Sequence, residues 1–362
     1  MNIGIPKERR PFEFRVGLSP AGVEILSQQG HMLFIEHEAG LGAGFSDREY
    51  ERAGAHIVYS PHEAFGRVEL LLKLARPMQE ELQWLNPGTT LMGFLHLASS
   101  RQDRVETLLS NKITSIAYEQ IQLSDGSMPV LRPLSQIGGQ MMAQIAARLL
   151  QTNYGGKGIL LGGMAGVPPA EVIIIGGGTA GATAARAFLG MGAHVTVLDK
   201  DVNALQRICE RLPQAVTLVA TRRNIERACA YADVLVGAVM VPGERAPIVL
   251  TREMLGKMKP RSLVMDLSID LGGCFETSRP TSHDQPTYVE EGVIHYCVPN
   301  VPAVVARSAT HAFVNAALPY ISEVANLGVE AAIAKNPAIE LALNTHHGEL
   351  RHLQLWTTEE GD

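Results

Sequence analysis

Hydrophobic residues along the chain are grouped in short, nearly continuous runs, and the segments between them carry apolar residues at helical spacing. The runs at 69–74 and 90–96 show this pattern most clearly in the first half of the chain. Strands that are apolar on both faces are typical of parallel sheets covered by helices. The pattern therefore predicts an α/β protein in which crossover helices connect parallel strands.

The second half of the chain repeats this pattern more regularly. An apolar strand at 172–175 is followed by an alanine-rich helix at 179–191 and a second strand at 194–198. Two more apolar runs, at 233–236 and 262–266, continue the series. Strands and helices that alternate in this way predict a doubly wound, mostly parallel sheet that ends near residue 305.

The domain boundaries are predicted from the segments that join these two halves. A strongly helical stretch at 137–150 leads out of the first half, and a helix at 310–335 is predicted to return to it. We therefore expect two Rossmann-like domains with parallel sheets and an active site in the cleft between them. The first predicted domain is discontinuous, residues 1–131 plus 306–362, and the second predicted domain is residues 132–305.

Composition and charge narrow the class of protein. The chain has 362 residues and a net charge of −6 without a basic block, which argues against nucleic acid as a partner. No run reaches the roughly 18 apolar residues of a membrane helix, and the first residues do not resemble a signal peptide. The four cysteines lack CxxC spacing, so neither a metal site nor a redox pair is indicated. We expect a cytoplasmic protein without a membrane partner.

A glycine-rich motif follows the first strand of the second half. Gly176, Gly178 and Gly181 match GxGxxG, with Thr179 and Ala180 opening the helix. The first glycine permits a tight turn, the second lets the backbone approach a pyrophosphate, and the third lets the helix pack against the strand. The helix N-terminus then points at the phosphates. Its place between an apolar strand and a helix predicts a dinucleotide site.

The next strand ends in Asp199, the expected position for a ribose-binding carboxylate. A carboxylate there accepts hydrogen bonds from both ribose hydroxyls and repels a 2′-phosphate, which favours NAD over NADP. Lys200 follows directly, so NADP stays an alternative. The second domain, residues 132–305, is therefore the predicted NAD-binding domain, and the first is the predicted substrate domain.

The fold alone does not identify the reaction, because this architecture carries many chemistries. Hydride transfer needs an acid/base, a clamp for an anionic group and a group that polarises a carbonyl or imine. His96, Arg15 and Asp270 are candidates for these roles. Each also has an ordinary structural interpretation, as a core histidine, a surface charge and a turn aspartate. Taken one by one, these residues favour the structural interpretation.

Ordered segments along nearly the whole chain change that balance. The matching segments are Gly4-Ile5-Pro6-Lys7-Glu8, Glu13-Phe14-Arg15-Val16, Ser19-Pro20-Ala21-Gly22, Phe94-Leu95-His96-Leu97-Ala98, Ser115-Ile116-Ala117-Tyr118-Glu119, Gly237-Ala238-Val239-Met240-Val241-Pro242-Gly243, Asp266-Leu267-Ser268-Ile269-Asp270-Leu271-Gly272-Gly273-Cys274-Phe275-Glu276, Ser278-Arg279-Pro280-Thr281 and Tyr296-Cys297-Val298-Pro299-Asn300-Val301-Pro302. In these segments the chain resembles the alanine dehydrogenase family, which is related to the NAD-binding subunit of proton-translocating transhydrogenase. The transhydrogenase subunit acts with a membrane partner, which nothing in this sequence suggests.

The resemblance implies a reaction, the reversible NAD-dependent oxidative deamination of L-alanine to pyruvate and ammonia. It implies that Arg15 holds the substrate carboxylate, that His96 is the acid/base, and that Asp270 stabilises the iminium and activates water. Hydride passes directly between the substrate and the nicotinamide, so no metal is expected. The candidate cofactor-binding positions in the matching regions are Ser135, Val239, Ile269, Asp270 and Asn300.

The resemblance also implies a homo-oligomer, commonly a hexamer. The apolar helices at 137–150 and 310–327 are candidates for its interface.

The sequence departs from the family at a substrate-binding position. The family pattern is Lys-Val-Lys-Glu-Pro, and here it reads Lys73-Leu74-Ala75-Arg76-Pro77, so the second lysine is absent. Loss of such a cation costs a few kcal/mol of transition-state binding, roughly a hundred- to a thousandfold in rate. Lys73, Arg76 and Arg132 are the candidates for a replacement charge. The alternatives are a pocket retuned for another amino acid or 2-oxo acid, or a non-catalytic NAD-binding homologue.

Overall fold

The structure is a computed structural model that describes residues 1–241 and 244–356. Pro242 and Gly243, which end one of the matching segments, lie outside the described residues, as do the last six residues of the predicted substrate domain. The chain divides into two compact units. The first unit is formed by Met1–Leu134 and by the chain from Pro302 onward, and the second unit is Ser135–Val301.

The described part of the first unit contains one eight-stranded sheet. Its strands are β1 (Asn2–Ile5), β2 (Met32–Glu36), β3 (His56–Val58), β4 (Leu70–Ala75), β5 (Thr90–Phe94), β6 (Thr114–Ala117), β14 (Leu343–His346) and β15 (Glu349–Leu350), in the order β15-β14-β6-β5-β4-β1-β2-β3. The strands from β3 to β6 are parallel, with Ile3 opposite both Leu33 and Leu70, and β14 and β15 are antiparallel.

Helices connect the parallel strands of this sheet, as the pattern predicts. The helices between parallel strands are α1 (Pro20–Gln28), α2 (Asp47–Arg52), α3 (Pro61–Gly66) and α4 (Gln102–Ser110). The helices α10 (Ala306–Leu327), α11 (Val329–Lys335) and α12 (Pro337–Leu341) precede the antiparallel β14, while α5 (Arg132–Leu149) leads into the second unit. The predicted cap Ser19 starts α1, since its Oγ accepts a hydrogen bond from the Gly22 N–H. The predicted helix at 310–335 is broken at Gly328, whose φ of 80° ends α10.

The second unit contains a seven-stranded sheet within the described residues. Its strands are β7 (Glu171–Ile175), β8 (His194–Asp199), β9 (Val216–Val219), β10 (Val234–Gly237), β11 (Leu263–Asp266), β12 (Thr287–Glu290) and β13 (Val293–Tyr296), in the order β12-β13-β11-β10-β7-β8-β9. Its helices are α6 (Thr179–Gly190), α7 (Val202–Arg211), α8 (Arg222–Tyr231) and α9 (Arg252–Leu255). The sheet is parallel except at β12, and the predicted α/β class with two mostly parallel sheets is confirmed.

The core of the second unit explains why its strands are continuously apolar. Val172 and Ile174 belong to the hydrophobic cluster on one face of the sheet, whereas Ile173 and Ile175 belong to the cluster on the other face. Alternate residues of a strand point to opposite faces, so burial of both faces requires apolar residues at every position. In the described part of the chain, no helix is both long enough and apolar enough to span a membrane.

The strand order of this sheet changes direction at β7. From β7 the chain proceeds to β8 and β9 on one side, and it then crosses to β10 and β11 on the other side. In open parallel sheets, the turns that follow the two strands at such a switch point diverge and leave a crevice for a ligand. The glycine-rich turn lies after β7, at this switch point.

Candidate active site

The glycine-rich turn has the geometry that its sequence predicts. Gly176 has a φ of 106°, and a Cβ there would lie 2.2 Å from the Ala238 carbonyl oxygen in the turn after β10. A Cβ on Gly181 would lie 1.8 Å from the Gly176 carbonyl oxygen. At Gly178, by contrast, a Cβ would meet no atom within 4 Å, and this residue is the N-cap of α6. The turn is therefore closed beneath its first and third glycines and open above its second, as a pyrophosphate cradle requires.

Asp199 is held against this turn at the end of β8. Its Oδ2 accepts a hydrogen bond from the Gly177 N–H at 2.6 Å, and its Oδ1 accepts one from the Asp201 N–H at 2.8 Å. Both oxygens therefore have a fixed direction, and the negative charge stands beside the pyrophosphate turn. Lys200, the residue that leaves NADP open, is exposed.

The segments after β10 and β11 are joined to each other by hydrogen bonds. Ser268 Oγ donates to the Val239 carbonyl at 2.7 Å and accepts from the Val239 N–H at 3.0 Å. The buried Asp266 fixes the β11 segment, because its carboxylate accepts from the Ser268 and Cys274 N–H groups. Ile269, buried in the short 3₁₀ turn that follows, keeps its backbone next to this network.

Asp270 and Asn300 lie together. The Asn300 N–H lies 3.2 Å from Asp270 Oδ2, and Asn300 has a φ of 54°, in the left-handed region. Asp270 itself is exposed. These two positions, far apart in sequence, thus belong to one cluster at the carboxyl ends of β11 and β13 within the second unit. Asp266 and Ser268, whose hydrogen bonds support this part of the site, stand in a matching segment of the sequence, but the sequence analysis assigned them no role.

His96 lies two residues beyond the end of β5, where the sequence predicts that the strand continues to residue 96. The strand ends earlier because the Glu119 carboxylate accepts hydrogen bonds from the Leu95 N–H, at 3.1 Å, and from the His96 N–H. His96 adopts a left-handed conformation with a φ of 43°, which is costly for a residue with a Cβ. Its ring is about one third exposed, with Nδ1 3.8 Å from Glu119 Oε1. Glu119 therefore fixes the backbone at His96, whose imidazole stays partly exposed.

Arg15 is buried and paired with a neighbouring carboxylate. Its Nε and Nη2 donate to the two oxygens of Glu13, at 2.8 and 2.6 Å. Glu13 thus occupies one of the two bidentate edges of the guanidinium and fixes the side chain that carries the predicted carboxylate clamp. The segment lies against α10, since the Val16 N–H reaches Thr310 Oγ1 at 3.4 Å. Phe313, one turn further on α10, packs against Phe94 beside His96.

Lys73 is fully buried between two carboxylates. Its Nζ lies 2.9 Å from Glu81 Oε1 and 3.1 Å from Glu8 Oε2. Burial by itself lowers the pKa of Lys73, but the two negative charges outweigh burial and raise this pKa above its ordinary value. Its ammonium is thus already neutralised within the core, which argues against the predicted substrate-binding role. The sequence could not reveal this, because spacing on the strand showed only that Lys73 shares a side with Ala75.

Arg76 reaches the loop that carries His96. Its Nη1 donates to the His96 carbonyl at 3.2 Å and lies 3.4 Å from Ser99 Oγ. Two further arginines lie nearby: Arg10 donates to the Arg76 carbonyl, and burial together with the charge of Arg10 lowers the pKa of Arg104. Arg10 and Arg104 carried no role in the sequence interpretation. Guanidinium groups therefore lie near the His96 loop together with the Glu119 carboxylate that anchors this loop.

The remaining predicted residues, Arg132 and Ser135, lie at the start of α5. Arg132 is exposed and begins the helix, and Ser135 is half-buried one turn later. Hydrogen bonds from Ser127 lower the pKa of Asp125, and the charge of Arg132 lowers this pKa further. The Arg76 side chain donates a hydrogen bond to the His96 carbonyl, whereas Arg132 acts on Asp125 only through its charge.

A parallel sheet with a glycine turn at its switch point and a carboxylate at the end of the next strand defines a dinucleotide-binding α/β protein. Comparison with known proteins makes the class specific. Residues 4–138 match the N-terminal domain of the family described as alanine dehydrogenase/PNT, and residues 142–353 match its C-terminal domain. The chain therefore belongs to this family.

Individual proteins agree with this assignment. The alanine dehydrogenase of Staphylococcus haemolyticus is 45% identical over 354 residues, which is 97% of this chain and 94% of that protein. Among solved structures, an L-alanine dehydrogenase superposes with a TM-score of 0.92 at 42% identity and covers 97% of both chains. A transhydrogenase from Sinorhizobium meliloti superposes with a TM-score of 0.81 at 26% identity, covering 97% of this chain and 99% of that one.

Proposed function

We propose that the protein is an NAD-dependent alanine dehydrogenase, which converts L-alanine, NAD⁺ and water to pyruvate, ammonium, NADH and a proton, and catalyses the reverse reaction. The observation that carries the proposal is the contact of Arg76 with the His96 loop. It keeps a cation beside the acid/base although Ala75 replaces the family lysine. The similarity to alanine dehydrogenases over 97% of the chain supports the same reaction.

NAD fits the residues of the second unit. The open backbone at Gly178 and the N-terminus of α6 suit a pyrophosphate, and the fixed Asp199 carboxylate suits the two hydroxyls of an unphosphorylated ribose. Thr179 and Ala180 bring further backbone N–H groups to this end of the helix. When bound, the nicotinamide accepts hydride from the substrate α-carbon or returns it to the iminium.

In the proposed mechanism, the charged groups of this chain act on the substrate. Arg15 orients the substrate carboxylate through its guanidinium, and Arg76 adds positive charge near the His96 loop. The His96 imidazole holds the proton that moves to or from the substrate oxygen, and Glu119 fixes the loop that aims it. The Asp270 carboxylate stabilises the cationic iminium and accepts a proton from the attacking water.

The test is NADH oxidation by the purified protein with pyruvate and ammonium, for the natural protein, Arg76→Ala and the control Arg101→Ala. Arg101 lies in the same unit and pairs with Asp103, but its side chain is 82% exposed. We expect turnover by the natural protein, a loss of roughly a hundred- to a thousandfold in kcat/KM for Arg76→Ala, and no loss for the control. Full activity of Arg76→Ala would refute the assignment of the charge to Arg76.

The replacement of a lysine by Ala75 also favours a second candidate, a dehydrogenase for a larger amino acid or 2-oxo acid. Compared with lysine, alanine lacks three side-chain carbon atoms and the ammonium group at the substrate-binding position, which leaves room for a longer substrate. Ala75→Lys separates the candidates. If the natural protein is inactive with pyruvate but oxidises NADH with larger 2-oxo acids, and the variant gains activity with pyruvate, the second candidate is correct.

A protein that binds NADH but turns over none of these acids would be the non-catalytic homologue. We also propose a cytoplasmic homo-oligomer, a hexamer by resemblance to the family. Light scattering of the purified chain tests the hexamer.

A further inference from the structure

Two adjacent histidines form the end of the last hairpin of the first unit, and the proposed mechanism gives them no role. His346 ends β14 and pairs with Glu349 of β15, so His347 and Gly348 form a two-residue loop. Both loop residues are left-handed, with φ values of 52° and 86°. Such loops strongly prefer asparagine and glycine, so a histidine at the first position is an unusual residue for the turn.

A glutamate from α11 faces both imidazoles. Glu330 Oε1 lies 3.0 Å from His347 Nε2 and 3.3 Å from His346 Nε2. Each of the three side chains offers one possible ligand atom, and these three atoms lie within 4.8 Å of one another. Among the residues that the structure describes, this cluster is the one set of three histidine, cysteine or acidic side chains that is spaced to hold a metal ion.

The surroundings of His346 suit a metal ligand. This histidine is buried, and its Nδ1 lies 3.0 Å from the hydroxyl of Thr114, which is also buried. A histidine that binds a cation through Nε2 must carry its proton on Nδ1 and donate it to a fixed acceptor. The Thr114 hydroxyl can accept that bond, so the buried wall of the cluster already orients the ring.

The ligand set points to the kind of ion. Two imidazoles and one carboxylate, with a water molecule in the fourth position, are typical of tetrahedral zinc. Zinc bonds of about 2.1 Å in a tetrahedron separate neighbouring ligand atoms by about 3.4 Å. The two observed nitrogen–oxygen separations, 3.0 and 3.3 Å, therefore need to open by only a few tenths of an ångström.

We propose that Glu330, His346 and His347 bind one divalent transition cation of the zinc type. The cation connects α11 to the β14–β15 hairpin and so holds the edge of the sheet to the helix that follows α10. No proposed catalytic residue contributes a ligand, so the site is independent of the proposed dehydrogenase reaction.

The test is a Co²⁺ titration of the full-length protein without an affinity tag, followed by displacement with Zn²⁺. Tetrahedral Co²⁺ gives visible absorption bands, and we expect them to saturate at one ion per chain and to disappear when Zn²⁺ is added. His347→Asn keeps a residue that the left-handed loop prefers, and Glu330→Gln keeps the size of an exposed side chain. Each variant removes a direct ligand and should weaken Co²⁺ binding at least about tenfold.

His352→Asn is the matched control. His352 is an exposed histidine of the same unit that pairs with one glutamate, Glu340, at 2.6 Å. Its variant should bind Co²⁺ like the natural protein. The proposal is overturned if the natural protein shows no saturable bands, if His347→Asn and Glu330→Gln bind unchanged, or if His352→Asn loses binding to the same extent.

Discussion

The buried position of Lys73 leads to a prediction that separates a structural cation from a substrate-binding one. The variant is Lys73→Met, which keeps the length of the side chain and removes its charge. In the natural protein, the ammonium lies about 3 Å from Glu8 and Glu81 and is fully shielded from water. The variant leaves two carboxylates in the core without their cation.

Removal of one partner from a buried ion pair costs about 3–5 kcal/mol of unfolding free energy. Because Lys73 serves two carboxylates, we expect the upper part of this range. In a unit of this size, such a loss lowers the Tm by roughly 10–20 °C. If the variant folds, a structural role of Lys73 predicts a KM for pyruvate near that of the natural protein, because Glu8 and Glu81 already occupy the ammonium.

The loss should also depend on pH. Burial raises the pKa of Glu8, and the charge of Lys73 lowers it again, so the variant raises this pKa further. A carboxyl whose pKa is higher in the folded than in the unfolded state favours folding at low pH and loses this contribution as the pH rises through the folded pKa. The stability difference between the variant and the natural protein should therefore shrink from pH 8 to pH 5.5.

The assay is urea unfolding at both pH values together with steady-state kinetics. Lys335→Met is the control, because Lys335 pairs with Glu323 at the surface and is 68% exposed. We expect little change in its stability at either pH. Unchanged stability of Lys73→Met combined with a tenfold or larger rise in its KM for pyruvate would refute the structural role.

Three further predictions concern the two parts of the site. Asp199→Ala should weaken NADH binding at least about tenfold, because each hydrogen bond to the charged carboxylate is worth about 1.5–3 kcal/mol. Unchanged NADH affinity in a fluorescence titration would show that the ribose lies elsewhere. Glu119→Gln exchanges one acceptor oxygen for an N–H donor, so the His96 loop loses its anchor. We expect kcat to fall about tenfold or more, with little effect on the Kd for NADH. An unchanged kcat would contradict this expectation. Gly181→Ala should abolish NADH binding, because the added Cβ would lie 1.8 Å from the Gly176 carbonyl oxygen of the turn. Gly190→Ala is the control and should bind NADH normally, because a Cβ at Gly190 meets no atom within 4 Å.

The sequence predicts the features that depend on local pattern. Burial of both sheet faces requires the continuous apolar runs, so the strands near β4, β5, β7 and β8 could be located from them. The glycine motif is equally local, because its turn is set by the backbone freedom of Gly176 and the close approach at Gly181. The edge strands β9 and β12 were not predicted, since only part of their surface is buried and their pattern is weaker.

The features that the sequence could not predict depend on partners far away along the chain. Lys73 is neutralised by Glu8, which β1 brings beside β4, and no spacing rule shows that contact. In the same way, Glu119 ends β5 early and turns His96 into a left-handed conformation. The break of the long helix at Gly328 had a local signal, the glycine itself, but apolar residues at helical spacing continue beyond it and favoured one helix.

The most direct test of the proposed reaction follows a single deuterium atom. The purified protein is incubated with pyruvate, ammonium and NADH that carries deuterium at C4, on the face that the enzyme uses, and the amino acid formed is analysed by mass spectrometry and chiral chromatography. Direct hydride transfer predicts L-alanine with one deuterium at the α-carbon, at a rate that falls strongly in Arg76→Ala. Absence of labelled alanine, with NADH bound but not consumed, would contradict the assignment of this chain as a working alanine dehydrogenase.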